Sequence, residues 1–119
     1  MGMARNIFHI TTTQQWLTAQ KIGLYTHESI IKEGFIHCSY QHQVLPSAQK
    51  HFSGQNDLIV LCISVKELKA ELRVERGVGS MHDFPHIYGE INLDAVKLVI
   101  NLNQENPDEF LQRLKPFAS

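Results

Sequence analysis

A chain of 119 residues is the size of one domain, and divided in two it would leave neither half enough apolar surface to fold unaided. Hydrophobic residues make up 43% and charged residues 19%, the balance of a packed globular protein, so disorder is expected only at the ends. A formal net charge of −1 excludes bulk attraction to a nucleic-acid backbone or an anionic bilayer.

Residues 6–11 alternate Ile7, His9 and Thr11 against Phe8 and Ile10, which predicts a first strand. Thr12 or Thr13 can cap a helix that carries Trp16, Leu17 and Ala19, with Trp16 in the core and Gly23 as the stop. The stretch 25–32 reads as a short helix or turn closed by Gly34. Residues 34–39 then alternate Phe35, His37 and Ser39 against Ile36 and Cys38, so one strand face carries the polar set. Val44, Leu45, Ala48 and Phe52 recur at helical spacing, with Pro46 acceptable near the helix start and Gly54 ending it.

Leu58 to Ile63 is the longest apolar run; it suits a central strand covered on both faces. One helical turn is expected over 65–70, then a strand holding Leu72 and Val74 against Arg73 and Glu75. Gly77-Val78-Gly79-Ser80 reads as a loop, too weak a pattern for phosphate binding. A segment over 84–91 and a closing strand over 95–102 follow, and Asn106 and Pro107 open a last helix carrying Phe110, Leu111 and Leu114. Several strands follow one another directly, which makes the fold class α+β in a single domain over 1–119.

Cys38 and Cys62 lie in apolar runs without metal spacing, so both are expected to be buried reduced thiols. The first residues lack the succession of a secretory leader, and no apolar run approaches the ~20 residues of a membrane span; a cytoplasmic location is expected. Among the seven histidines, His27, His42 and His51 are expected in solvent, and His9 on a strand face suits either core or site. His82 and His86 are four apart, but Pro85 breaks the helix that a metal pair needs, and no metal is expected.

His37 and His86 differ, because each lies in a run with glycine, a hydroxyl residue and an aromatic: Gly34-Phe35-Ile36-His37-Cys38-Ser39 and Phe84-Pro85-His86-Ile87-Tyr88-Gly89. Imidazoles, Ser39 and the Tyr88 hydroxyl offer hydrogen bonds to sugar hydroxyls, while Phe84 and Tyr88 offer flat walls to a ring. The competing expectation is a pair of core histidines bonded to backbone carbonyls, with Phe-Pro-His as a stiff turn.

Together with His9-Ile10, Tyr25, Ser29, Gln43, Asp57-Leu58, Glu75 and Asp94-Ala95-Val96, these runs resemble the bacterial family called domain of unknown function 952 over nearly the whole chain. The family has no established activity, but it is grouped with the ADP-ribosyltransferase-like fold, in which NAD lies in a cleft between two small sheets flanked by helices. The resemblance implies that His37 of His37-Cys38-Ser39 holds a ribose hydroxyl, that His86 or Tyr88 lines the nicotinamide end, and that Tyr25, Ser29, Ser39 and Phe84 belong to the ligand site. Glu75 and Glu90 are the candidates for the third, acidic position, and neither sits in a recognisable motif for it.

NAD as substrate, a small-molecule nucleotide as partner, and ribosyl transfer through His37, His86 and Glu75 are therefore the leading expectations. A non-catalytic nucleotide- or partner-binding module, and a hydrolase using His37 and His86 as acid and base, are the rivals.

Overall fold

The structure is a computed structural model describing residues 4–117. The expectation of disorder at the chain ends lies in part outside those residues. The described residues form three antiparallel sheets and four α-helices, so the α+β expectation holds.

The central sheet consists of β1 (Asn6–Thr12), β4 (Leu58–Ser64) and β8 (Val96–Asn101), with β4 in the middle. Six consecutive β4 residues are buried, and they alternate between two cores. Ile59, Leu61 and Ile63 enter one; Leu58, Val60 and Cys62 enter the other. Strand β1 obeys the same alternation, sending Ile7 to the first core and Phe8 and Ile10 to the second.

Two helices cover the second core: α3 (Val44–His51) through Val44 and Ala48, and α4 (Pro107–Leu114) through Phe110 and Leu114. Asn106 caps α4 by accepting from the Glu109 amide at 3.3 Å, as expected, and Pro107 stands where no intrahelical N–H is required. The first core is covered by α1 (Thr13–Ile22) and by two smaller sheets. Thr12, not Thr13, caps α1 by accepting from Gln15 N at 3.1 Å. Trp16 is only partly buried against this core.

The first small sheet pairs β2 (Leu24–Tyr25) with β7 (Ile91–Asn92). Tyr25 therefore belongs to a strand, and the helix expected over 25–32 is the shorter α2 (Ser29–Glu33), ended by Gly34 at φ 92. The second small sheet places β6 (Asp83–Tyr88) between β3 (Ile36–His37) and β5 (Glu71–Arg76). Gly77 lies in the β5–β6 turn, where a Cβ would stand 2.9 Å from the Phe84 ring.

The strand expected over 34–39 is short because the chain changes partners along it. Ile36 and His37 pair with Ile87 and His86, Cys38 N donates to Pro85 O at 3.1 Å, and Ser39 then bridges to Phe8 of β1. The helical turn expected over 65–70 is a single turn, closed by Leu68 N donating to Ser64 O at 3.1 Å. Cys38 and Cys62 are buried and free, and burial raises both thiols, Cys62 to about 11. Among the described residues no helix is long and apolar enough to cross a membrane.

Candidate functional site

Antiparallel pairing sets the site. His37 and His86 are directly opposed across β3 and β6, so alternation puts both rings on the same outer face while Ile36 and Ile87 point into the core. Their ring centroids lie 5.5 Å apart. Phe35 completes a triangle, stacked on His86 at 4.0 Å and edge-on to His37 at 4.8 Å.

Each imidazole is anchored by a carboxylate. His37 Nε2 lies 2.7 Å from Glu33 Oε2, four residues back across the Gly34 turn. His86 Nδ1 lies 2.8 Å from Glu75 Oε1, which also accepts from the Tyr88 hydroxyl at 2.6 Å. Glu75 opposes Phe84 on β5, one position diagonal to His86, which brings the carboxylate within reach of both β6 side chains. The Tyr88 hydrogen bond, then that of His86, holds the Glu75 carboxyl below its usual range; the same bond to Glu75 raises Tyr88.

The second ring nitrogens, Nδ1 of His37 and Nε2 of His86, make no hydrogen bond among the described residues. His86 is 5% exposed, yet its free nitrogen is not sealed from solvent, and the His37 side chain is half-exposed. Arg73 lies over the Tyr88 ring at 4.1 Å while donating twice to Glu71, at 2.8 and 3.1 Å. Two open depressions, of about 610 Å³ beside Arg5, Lys97 and Phe117 and about 130 Å³ beside Gln15 and Leu24, lie elsewhere. The imidazole wall is thus a surface, not the lining of either depression.

The remaining sequence-derived candidates divide. Phe84 shares the outer face but packs over Gly77 at the hairpin turn. Ser39 is buried beyond the change of partner, 3.3 Å from the Ser47 hydroxyl. Tyr25 and Ser29 belong to a second polar group around His9 and His27. The His9 Nδ1 is 2.6 Å from the His37 carbonyl, which only accepts, so Nδ1 carries a proton and donates. His9 Nε2 meets the Tyr25 hydroxyl at 2.7 Å, and Thr11 lies 2.9 Å beyond. Burial lowers the pKa of His9 to about 4, so the ring is neutral. Ser29 N donates to His27 Nδ1 at 3.1 Å, so His27 is partly enclosed, while His42 and His51 are exposed as expected. Glu90 is exposed and contacts neither histidine of the wall by any described bond.

Sequence reasoning missed Glu33 and Arg73, and it left His9 open between core and site. Glu33 was legible as a carboxylate four residues before His37; Arg73 required the β5–β6 register.

Residues 10–99 match the model of a family described as Protein of unknown function (DUF952). The chain belongs to the DUF952 family. The DUF952 chain also resembles solved structures of protein CC0527 from Caulobacter crescentus. A crystal structure is 28% identical with a TM-score of 0.74, over 82% of this chain and 86% of that one. The solution NMR structure is 26% identical with a TM-score of 0.75, over 88% and 96%. No curated protein matches this DUF952 chain.

Proposed function

We propose that the wall formed by Phe35, His37, His86 and Tyr88 is a nucleotide site, taking NAD or an ADP-ribose-bearing molecule. The observation that carries the reading is the cross-strand pair of His37 and His86, 5.5 Å apart with one nitrogen of each ring unengaged beside an aromatic face. Hydrogen-bonding nitrogens suit sugar hydroxyls, and a flat ring suits a base.

An ADP-ribosyltransferase-like arrangement, with a cytoplasmic location, belongs to the same reading. His37 of His37-Cys38-Ser39 presents its ring to solvent, whereas the His9 ring is buried. If the site turns NAD over, ribosyl transfer passes through a cationic sugar, which the Glu75 carboxylate would favour. Calorimetric titration with NAD and with ADP-ribose tests the reading. His37→Ala should weaken binding at least tenfold, and equal binding by both proteins would overturn it.

A second reading, general acid–base chemistry at the same wall, is favoured by one observation. Both hydrogen bonds described for Glu75, to His86 and to Tyr88, go through Oε1. It anchors an imidazole, the arrangement that orients a proton-transferring histidine.

A further inference from the structure

The two carboxylate–imidazole pairs form a symmetric device. Glu33 fixes His37 through Nε2, Glu75 fixes His86 through Nδ1, and each ring is left with its other nitrogen open. Among the described residues no thiol or hydroxyl is free beside them. Cys38 points into the core, the Ser39 hydroxyl faces Ser47, and the Tyr88 hydroxyl donates to Glu75. Glu33 and Glu75 are each held by the imidazole they anchor, so water is the attacking oxygen this wall activates, with one imidazole to take its proton and the other to supply one to a leaving group.

The charges around the wall restrict that leaving group. Glu33, Glu71 and Glu75 stand against one cation in contact with the wall, Arg73, and its guanidinium is already held twice by Glu71. Nothing here would hold a phosphate at the point of cleavage, whereas carboxylates favour a sugar that becomes cationic.

We infer that the paired histidines hydrolyse the N-glycosidic bond of a ribonucleoside, with no phosphate at the reacting centre. One imidazolium gives its proton to the departing base nitrogen as the C1′–N bond breaks and its electron pair goes to the base. The other imidazole removes a proton from water, whose oxygen forms the new C1′–O bond. Free base and ribose result, and solvent restores the two protonation states. Glu33 and Glu75 are positioning residues; the Phe35 ring, stacked on His86, marks where the base lies.

This inference rests on the nucleotide reading but fails separately from it. The experiment incubates the full chain with inosine, adenosine, guanosine and uridine, follows free base by chromatography, and measures binding of the same nucleosides, NAD and ADP-ribose by calorimetry. Base release by the wild type, lowered about 100-fold or more in His37→Ala and in His86→Ala and partly restored to His37→Ala by added imidazole, is the expected result. Binding without base release overturns the inference and spares the nucleotide site. Base release that both variants retain also overturns it. Base release without NAD or ADP-ribose binding supports the inference while removing the NAD reading, and neither binding nor release removes both. Circular dichroism of the variants separates a lost proton-transfer group from a lost fold.

Discussion

His9 is held neutral in the core, with Nδ1 donating to the His37 carbonyl and Nε2 against the Tyr25 hydroxyl. Its pKa is lowered from 6.5 to about 4, chiefly by burial, and burial lowers that of His27 in the same sense. A histidine with a lowered folded value stabilises the fold fully above 6.5. As pH falls from there towards 4 the unfolded chain takes a proton that the folded chain refuses, and stability is lost. The His9 share is about 3 kcal/mol. Urea midpoints measured between pH 7 and pH 4.5 should therefore fall in the wild type. In His9→Gln, whose amide is polar but does not titrate, the fall should be much shallower; an unchanged slope would show that His9 titrates normally.

At the level of elements, the outer face of the β3–β6–β5 sheet is one period-two set: His37 on β3, His86 and Tyr88 on β6, Arg73 and Glu75 on β5. The alternation of Phe35, His37 and Ser39 against Ile36 and Cys38 was legible in the sequence, as was the extended backbone imposed before Pro85. The pairing of His37 with His86 was not, since register between strands about fifty residues apart depends on which core faces both must share. The same limit separated Ser39 from the site, because nothing local announces that the chain leaves β6 for β1 after Cys38. The β5–β6 hairpin holds its register through a turn in which Phe84 occupies the space of a side chain at Gly77. Gly77→Val should push that ring aside and cost roughly 1–3 kcal/mol, seen as a lower urea midpoint. A variant as stable as the wild type would mean that Phe84 is free to move.

For the whole molecule, β4 was the most legible element, because six apolar residues in a row have no use unless both sheet faces are covered. What the run could not say is what covers each face: α3 and α4 on one side, α1 and the two small sheets on the other. One strand thus belongs to both cores, which couples their unfolding. Leu61→Ala, on the side shared with Ile36, Ile87 and Trp16, should cost about 2–5 kcal/mol. Unfolding followed by Trp16 fluorescence and by circular dichroism should move to one common lower midpoint; two separate midpoints would show that the cores come apart independently.

The handover along residues 36–39 has a mechanical meaning. Phe8 N donates to Ser39 O at 2.8 Å and Ser39 N to Phe8 O at 2.7 Å, two residues past the imidazole that faces solvent. The Phe8 side chain is lodged on the opposite side of the central sheet, against α3 and α4. A molecule bound against His37 would therefore press on a short rigid lever through the sheet, and amide resonances of Phe8 and Ser39 would register its arrival from the far side.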